Sequence, residues 1–421
     1  MARILIVGIN YAPENIGTGK YTGEMATWLA LNGHAVRVVT APPYYPDWRV
    51  SSGYRSWWWS RDEIQGVDVI RCPIWVPSKP RGVTRIVHLF SFGFTSLPPL
   101  IGSMLFRPDL VVNIAPTLAS APGALLAARL SGSKSWLHIQ DFELDAALEM
   151  GIVSAGRMRA LATAIESRVL RAFNRVSTIS EKMLERVRAK GVKSSACISF
   201  PNWADIAGIR PLETVSSYRS ELGIPVDGIV ALYSGNMGLK QGLEVLGDVA
   251  DAMKDLPSLY FVFGGQGPAR DLLEEKCKGL SNVHFLDLQP TERLNDWLGL
   301  ADIHLLPQRA DVADLVMPSK LTGMLASGRP ILATALPNTG LANALKSSGI
   351  TVPPGDKEAI AQALRELVSS PAARVRLGLA AREQAESTLA SDWILDRFNT
   401  SILSLLASDA SNEHLTNTDS E

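Results

Sequence analysis

Residues 303–333 read IHLLPQRADVADLVMPSKLTGMLASGRPILA, and this stretch decides the fold class. The apolar run Ile303–Leu306 has the length of a buried strand, a polar turn follows it, and a helix is predicted from Lys320. A second apolar run, Pro330–Ala333, then predicts another strand. A strand, a helix and a second strand in this order are typical of a parallel sheet that is covered by helices.

The same alternation extends along the chain in two series, which Pro201–Thr214 separates. Prolines interrupt the pattern there, as is typical of a linker. The predicted strands of the first series are Arg3–Val7, Ala35–Thr40, Val67–Arg71, Leu110–Ile114, Ser135–Ile139, Val176–Ile179 and Ala196–Ser199. Those of the second series are Ile229–Tyr233, Leu259–Gly264, Val283–Leu286, Ile303–Leu306, Pro330–Ala333 and Ile350–Val352. We therefore expect two Rossmann-like α/β domains, at residues 1–205 and 206–390, followed by a helix at 391–407 and a disordered tail at 408–421.

The composition argues against several classes of function. The 421 residues carry a formal net charge of -1, without the basic excess of a nucleic-acid binder, so nucleic acid is not an expected partner. Cys72, Cys197 and Cys277 lie far apart, and no Cys/His spacing supports a zinc site or a disulfide framework. We expect buried thiols in a reducing compartment. The apolar run Ile4–Val7 is too short for a signal peptide, which indicates a cytoplasmic protein.

The first strand of each series leads into a glycine-containing turn. In the first series, Gly17 and Gly19 precede a helix whose free amides can bind a phosphate. Eight residues separate Gly8 from the next glycine, which is not the spacing of a dinucleotide-binding fingerprint. A turn without a binding role is the alternative interpretation.

In the second series, Gly235 opens the corresponding turn, and Lys240 is a nearby point charge. Gly265 and Gly267 end the next strand. The amides of such turns can hold a diphosphate. Because ligands bind beyond the carboxyl ends of the strands in open parallel sheets, two such domains would face each other across a cleft that suits a nucleotide sugar and an acceptor.

Lys320 stands at the start of a predicted helix, with Ser319 as its expected cap. A cation in the first turn opposes the helix dipole, which indicates that an anionic ligand compensates it. A surface lysine without a role is the alternative.

The run Gln140–Asp145 follows a predicted strand and contains three carboxylates, which repel one another unless solvent or ligand hydroxyls interact with them. Asp141 is the candidate for orienting the acceptor hydroxyl or accepting its proton. A solvated loop is the alternative.

Several of these segments resemble glycosyltransferase family 4, and the resemblance extends to about Phe398. They are Pro318–Leu321 with Ala326–Pro330, the turn Gly264–Pro268, the strand entry Ala301–Ile303 and the loop with Gly17 and Gly19. The resemblance implies retaining transferases of the GT-B fold, with two facing domains and a C-terminal helix that crosses back to the N-terminal domain.

Tyr11–Glu14 together with Ala41–Pro46 resembles in particular the branch that builds colanic-acid-type exopolysaccharide. This resemblance implies a GDP- or UDP-sugar donor in the C-terminal domain. It also implies an acceptor glycan on undecaprenyl diphosphate, bound in the N-terminal domain. A retaining transfer of this type needs neither a metal ion nor a cofactor, because the leaving diphosphate can accept the acceptor's proton while amides and a lysine stabilise its charge.

The sequence departs from the family pattern at three places. The usual pair of glutamates falls on Leu315 and Gly323, the usual Arg and Lys of the second turn fall on Asn236 and Gln241, and the usual His-Asp reads Gln140-Asp141. We expect other polar groups to replace them. The expected catalytic residues are Asp141 and Lys320, and the expected acceptor-binding residues are Tyr11, His138, Gln140 and Glu143. The expected donor-binding residues are Gly17, Gly19, Gly235, Asn236, Lys240, Gln241, Gly265, Gly267, Asp311, Asp314, Pro318, Ser319, Lys320 and Leu321.

Two other classes stay open at this point. The missing glutamates suit a catalytically silent partner in a polysaccharide assembly complex. A nicotinamide-dependent sugar-nucleotide enzyme is disfavoured by the spacing of the first turn.

The segment Ile86–Phe106 contains no Asp, Glu, Lys or Arg. A run of this length can span a bilayer, but a spanning helix here would separate strands of one sheet. We expect instead a surface patch that dips into the inner leaflet, supported by Trp57–Trp59 and flanked by Lys79, Arg81, Arg85 and Arg107. An interdomain helix and a packed loop are the alternative.

Overall fold

The computed structural model describes residues 1–14, 17–78, 82–142, 156–238, 241–312 and 317–416. The chain forms two compact units. The first comprises Met1–Pro201 together with Leu395–Glu421, and the second comprises Asn202–Ile394. Each unit is a mainly parallel sheet flanked by helices.

The first unit contains an eight-stranded sheet in the order β3-β4-β2-β1-β5-β6-β7-β8. Its strands are β1 (Arg3–Val7), β2 (Ala35–Thr40), β3 (Ser60–Ile64), β4 (Val67–Arg71), β5 (Leu110–Ala115), β6 (Lys134–Ile139), β7 (Arg175–Thr178) and β8 (Cys197–Ser199). Its helices are α1 (Gly17–Leu31), α2 (Val83–Thr95), α3 (Leu97–Gly102), α4 (Ala121–Ser131), α5 (Arg157–Ala172) and α6 (Glu181–Ala189). All strand pairs are parallel except the hairpin of β3 and β4.

The second unit contains a six-stranded parallel sheet in the order β11-β10-β9-β12-β13-β14. Its strands are β9 (Ile229–Ser234), β10 (Leu259–Gly264), β11 (Val283–Leu286), β12 (Ile303–Leu306), β13 (Ile331–Thr334) and β14 (Gly349–Val352). Its helices are α7 (Ser217–Glu221), α8 (Glu244–Ala252), α9 (Arg270–Lys276), α10 (Leu294–Gly299), α11 (Lys320–Ala326), α12 (Gly340–Ala344), α13 (Lys357–Ser369) and α14 (Pro371–Thr388).

Alternate residues of β9 pack on opposite faces of this second sheet. Val230 and Leu232 belong to a core shared with α11, whereas Ala231 and Tyr233 belong to a core shared with α8 and α13. Burial on both faces explains why the strand is a continuous apolar run.

The order of the strands reverses beside β1 in one unit and beside β9 in the other. Strand β1 lies between β2 and β5, and β9 lies between β10 and β12. Such switch points open a crevice at the carboxyl ends of the strands, where ligands bind in open α/β sheets. The glycine-containing turns after β1 and β9 therefore lie where the sequence predicts binding.

The C-terminal helix α15 (Ser391–Thr416) returns to the first unit from Leu395 onward. Phe398 stacks on Phe200 with ring centroids 4.1 Å apart and lies edge-on to Trp136 at 5.0 Å. His34 also reaches Asn399, at 2.9 Å. These contacts confirm the predicted crossing of the helix back to the N-terminal part of the chain.

This helix extends nine residues beyond the predicted end at Ala407, so the expectation of disorder from Ser408 differs from the structure up to Thr416. No glycine or proline follows Gly378 in the sequence, so no residue forces the helix to stop earlier.

Strand β3 is the element that the sequence analysis missed. Its burial pattern is almost entirely exposed or intermediate, so the strand carries no apolar signal. Gln65 and Gly66, with φ of 51° and 79°, form the tight turn to β4.

The uncharged segment forms α2, α3 and a 3-10 turn (Ser103–Phe106) on the surface of the first unit. Among the described residues, one helical segment, Val83–Phe106, is long and apolar enough to cross a membrane, with a mean hydropathy of 1.4. His88, Phe92 and Leu100 on its inner side are fully buried against the first unit.

Candidate active site

Two glycine turns of the second unit pack directly on each other. The Gly235 amide donates to the Gly264 carbonyl at 2.8 Å, and the Met237 amide donates to the Gln266 carbonyl at the same distance. A Cβ at Gly265, where φ is 143°, would lie 2.0 Å from the Gly235 carbonyl oxygen. The glycines are therefore required by the close approach of the two chains.

This packing bears on the prediction that amides of the Gly235–Gly238 turn hold a diphosphate. The amides of Gly235 and Met237 already have carbonyl partners. Within this turn, Asn236 lies at the exposed surface. The turn thus shapes the site more than it supplies donors.

Lys320, the first residue of α11, reaches across to the end of β9. Its Nζ donates to the Tyr233 hydroxyl at 2.7 Å and lies 4.2 Å from the centre of that ring. The Tyr233 hydroxyl in turn donates to the Asn236 carbonyl at 2.6 Å. A Cβ at Gly235 would lie 3.1 Å from Lys320 Nζ, so any side chain at this position would crowd the ammonium group.

The charge of Lys320 has no carboxylate counterpart in the described ranges. Burial alone lowers the pKa of its ammonium to about 7. Burial also raises the pKa of the Tyr233 hydroxyl, which therefore stays protonated and keeps its bond to Asn236. An anion bound beside Nζ would restore the charged form of the lysine, which makes Lys320 the strongest candidate for a diphosphate contact.

Ser319 does not cap α11 through its side chain. Its backbone is already helical, with φ of -61° and ψ of -25°, and its hydroxyl makes no capping hydrogen bond. A capping serine needs an extended backbone so that its oxygen can reach the free amides. The Leu321 amide donates instead to the Pro318 carbonyl at 3.0 Å, and the Leu321 side chain is part of the core.

Gln241 presents a buried acceptor near the Gly235–Gly238 turn. Its Oε1 has no hydrogen-bond partner among the described residues. A Cβ at Gly238 would lie 2.7 Å from this oxygen. A buried carbonyl oxygen without a donor is costly, and a ligand hydroxyl would satisfy it.

Asp311 forms an ion pair with Arg309 through two contacts of 3.1 Å. Both side chains are at least half-exposed. The Arg309 stem lies 3.1 Å from the Cβ position of Gly242, so the pair borders the same turn as Gln241. Lys240 and Asp314, also predicted donor contacts, lie outside the described residues.

The position of the second family glutamate falls on Gly323 in α11. A Cβ there would lie 3.2 Å from Leu298 Cδ1, inside an apolar core. A side chain at this position would need Leu298 to shift by a few tenths of an ångström. Gly323 thus fits closely against Leu298 at the position of the missing carboxylate.

In the first unit, Glu14 joins the turn after β1 to the loop after β2. Its Oε1 accepts from the amides of Tyr44 and Tyr45 at 2.8 and 2.9 Å, and its Oε2 accepts from Asn10 Nδ2 at 2.8 Å. Burial raises the pKa of this carboxyl, while these hydrogen bonds oppose the shift.

Gly17 and Gly19 serve the same turn. Gly17 begins α1 with φ of 58°, and a Cβ at Gly19 would lie 2.8 Å from Glu14 Cβ. The buried Arg71 supports the turn from below, donating to the Ala12 carbonyl at 2.7 Å and to the Ala41 carbonyl at 3.1 Å. The described part of the turn, up to Glu14, is thus held by contacts from both sides.

Tyr11 lies in the same turn and is 1% exposed. Burial raises the pKa of its hydroxyl to about 12, and this hydroxyl has no partner among the described residues. It is an unsatisfied polar group at the carboxyl end of β1.

His138, which the sequence predicts as an acceptor contact, lies inside the first unit between polar partners. It is 3% exposed, and its Nδ1 and Nε2 lie 2.9 Å from Ser177 Oγ and Gln140 Nε2, respectively. Burial lowers its pKa to about 3, so the ring is neutral. With the Gln140 amide nitrogen facing Nε2, the ring proton lies on Nδ1 and is donated to Ser177.

Asp141 lies at the carboxyl end of β6, at the edge of the sheet predicted for the acceptor. Burial is the main cause that raises the pKa of Tyr45, and the negative charge of Asp141 adds to this shift. The Asp141 carboxylate therefore lies near the loop after β2, whose amides bind Glu14. Glu143 lies outside the described residues. The described residues contain no group of three or more His, Cys, Asp or Glu side chains that could hold a metal ion.

Two family models match the chain. The glycosyl transferase 4-like domain matches residues 17–203, and the model for glycosyl transferases group 1 matches residues 228–370. The chain is also 41% identical to the colanic acid biosynthesis glycosyl transferase WcaI of Escherichia coli, over 94% of this chain and 98% of that protein. The chain belongs to the glycosyltransferases.

Solved structures show which fold this glycosyltransferase has. Sucrose-phosphate synthase from Thermosynechococcus elongatus superposes with a TM-score of 0.77 at 17% identity, covering 97% of this chain and all of that one. HepE from Anabaena, in complex with UDP and glucose, superposes with a TM-score of 0.68 at 12% identity, covering 96% and 100%. The fold is GT-B, as the sequence predicts.

The sequence analysis missed three residues that hold candidate side chains or turns in place, two in the second unit and one in the first. Tyr233 holds Lys320, Arg309 pairs with Asp311, and Arg71 supports the first turn. Tyr233 reads as an ordinary strand residue, because only the fold brings it beside Lys320. The sequence could have indicated Arg71, because a charged residue at the end of a buried strand such as β4 needs polar partners.

Proposed function

We propose that this protein is a retaining hexosyltransferase that moves a sugar from a GDP- or UDP-sugar to a glycan on undecaprenyl diphosphate. We place the reaction in the biosynthesis of a colanic-acid-type exopolysaccharide, because the WcaI relative carries that pathway in its name and aligns over nearly its whole length. The observation that carries the proposal is Lys320, which has no carboxylate partner among the described residues and lies beside the interlocked turns of the second unit.

Lys320 has the role of stabilising the negative charge that grows on the leaving diphosphate. Electrostatic stabilisation of this kind is usually the largest contribution to such a transfer. The buried Gln241 Oε1 is suited to a hydroxyl of the donor. Asp141, at the sheet edge of the first unit, orients the acceptor hydroxyl.

In a retaining transfer through the same face of the sugar, the bond from the anomeric carbon to the diphosphate oxygen breaks as the bond to the acceptor oxygen forms. The acceptor proton moves to the diphosphate oxygen that leaves. This scheme requires no metal ion and no cofactor, and full activity in the presence of a chelator is the expected result.

We also propose that the enzyme works in the cytoplasm, attached peripherally to the inner face of the cytoplasmic membrane, where a lipid-linked acceptor is found. The exposed apolar surface of α2 and α3 supports this location.

The test is an incubation of the purified protein with a panel of UDP- and GDP-sugars and a lipid-linked acceptor. We expect one nucleotide class to support transfer, with NMR of the product showing the anomeric configuration of the donor. An inverted product would contradict retention. Donor binding without transfer to any acceptor would favour a catalytically silent partner, the alternative that the missing family glutamates suggest.

A further inference from the structure

The first unit carries an exposed apolar face along α2, α3 and the turn Ser103–Phe106. Phe90, Phe94 and Leu105 are 64%, 75% and 92% exposed, and Val83, Ile86 and Ile101 extend the same face. Positions 83, 86, 90 and 94 recur at helical spacing, so they share one side of α2. A soluble monomer rarely exposes so continuous an apolar surface without a binding role.

Tryptophans continue this face beside α2. The Trp59 indole N–H donates to the Thr95 carbonyl at 3.0 Å, which fixes the Trp57–Trp59 loop against the end of α2. Trp57 and Trp58 in that loop are 70% and 54% exposed. Trp75 is also exposed, and its carbonyl oxygen lies 2.7 Å from His88 Nδ1 of α2. Indole rings favour the interface between a bilayer and water.

The segment that forms this face is flanked by basic residues in the sequence. No Asp or Glu occurs between Asp68 and Asp109, whereas basic residues do, among them Arg85 and Arg107. Arg107 also lines a cavity of about 670 Å³, together with Arg3, Lys134 and Met104 of the apolar face. Asp109 is the one carboxylate in that lining, and it pairs with Arg3 at 3.4 Å.

We propose that this face, defined by Val83, Ile86, Phe90, Phe94, Ile101 and Leu105 with Trp57 and Trp58, docks on an anionic phospholipid bilayer. The apolar side chains enter the boundary between headgroups and acyl chains, and the exposed Arg107 beside them binds a lipid phosphate. The inference rests on the proposed function, because it names the surface by which the enzyme reaches a lipid-linked acceptor.

The buried side of α2 and α3 favours a segment that lies on the membrane over a helix that crosses the bilayer. Phe92 and Leu100 are fully buried against the first unit, and a Cβ at Gly93 would lie 2.7 Å from the Ala119 carbonyl oxygen. A spanning helix would have to leave these contacts. The segment therefore lies on the membrane with one face only.

The experiment is flotation of the full-length protein with vesicles of phosphatidylcholine alone or mixed with phosphatidylglycerol. The test variant is Phe90→Gln/Phe94→Gln/Leu105→Gln, and the charge variant is Arg107→Gln, at an exposed position beside Leu105. The matched control is Val375→Gln/Leu379→Gln, which removes two apolar side chains that are 61% and 67% exposed on α14 of the other unit. Circular dichroism checks that each variant is folded.

We expect the wild type and the control to float with anionic vesicles and to float less at high salt. The triple variant should bind at least about a hundredfold more weakly, because interfacial affinity follows the apolar area that is buried. Arg107→Gln should weaken binding to anionic vesicles by a few fold and leave binding to neutral vesicles unchanged.

Flotation of the triple variant equal to that of the wild type would overturn the proposal. The proposal would also be overturned if the wild type never floats and the triple variant has a lower mass in solution than the wild type. The face would then be an interface with protein and not with lipid. Donor hydrolysis without vesicles is measured in parallel. A wild type that does not hydrolyse the donor would count against the proposed function. A wild type that hydrolyses the donor but does not float would count against the docking face alone.

Discussion

The titration of Lys320 should control donor affinity near neutral pH. Burial lowers the pKa of this ammonium to about 7, below the ordinary lysine value, so the cation is present below pH 7 and is lost as the pH rises through it. About nine in ten molecules carry the charge at pH 6 and about one in ten at pH 8. The diphosphate of a nucleotide sugar stays anionic in this range, so it selects the charged lysine. The apparent Kd should therefore rise about tenfold from pH 6 to pH 8, or about 1.4 kcal/mol.

The assay is calorimetric titration with an intact nucleotide sugar in the absence of acceptor. An intact nucleotide sugar is preferable to the free diphosphate, whose terminal phosphate titrates in the same range. Repeating the titration at pH 8 in buffers of different ionisation enthalpy measures proton uptake, which should approach one proton per complex. The variant Lys320→Met should bind weakly at every pH and take up no proton.

Tyr233→Phe separates the charge from its placement. This variant keeps the ring beside Nζ but removes the hydroxyl that lies 2.7 Å away, so binding should weaken while its pH dependence remains. A wild-type affinity that is constant between pH 6 and pH 8 would refute the reasoning. A pH dependence that persists in Lys320→Met would assign the titration to another group.

Three further predictions follow from buried groups. Gly265→Ala should lower the free energy of unfolding in urea by at least about 3 kcal/mol and abolish donor binding, because its Cβ would lie 2.0 Å from the Gly235 carbonyl oxygen. The control Gly223→Ala, at φ of 67° with no atom near its Cβ, should cost about 1 kcal/mol. An equal cost at both positions would contradict the interlocked turns. Glu14→Ala should cost about 3 kcal/mol in the same measurement and lower transfer, since three donors that are at least partly buried lose their acceptor. The exposed Glu63→Ala should change stability by less than about 0.5 kcal/mol. Retained stability in Glu14→Ala would show that the loops hold without it. Burial lowers the pKa of His138 to about 3 and keeps the ring neutral. Below about pH 6.5 the unfolded chain therefore binds a proton at this residue that the native protein does not bind. The contribution of His138 should lower the free energy of unfolding by about 1.4 kcal/mol for each pH unit below that point. The same slope in the folded variant His138→Gln would contradict this assignment.

The sequence predicts the fold because apolar runs and turns carry its signal. Strands β1, β9 and β12 are buried runs whose bounds agree with the prediction within a residue. β3 was missed because an exposed edge strand such as Ser60–Ile64 has no such run.

The site could be predicted only in part, because its chemistry depends on contacts between distant residues. The pattern indicates Lys320 as an unusual cation, but Tyr233 is 87 positions away and reaches it only in the folded sheet. The same limit explains His138, whose position at a strand end suggests access to ligand, whereas Ser177 and Gln140 enclose it. Hydrogen bonding between the turns, which uses the Gly235 amide, likewise has no signature in either turn alone.

The most direct test of the account is transfer of labelled sugar from a saturating nucleotide sugar to the lipid fraction, by the wild type and by Lys320→Ala. We predict incorporation by the wild type and a loss of at least about a hundredfold in turnover by the variant, since removal of one group that stabilises developing charge typically costs that much. Full turnover by Lys320→Ala, or no incorporation by the wild type from any UDP- or GDP-sugar, would contradict the account.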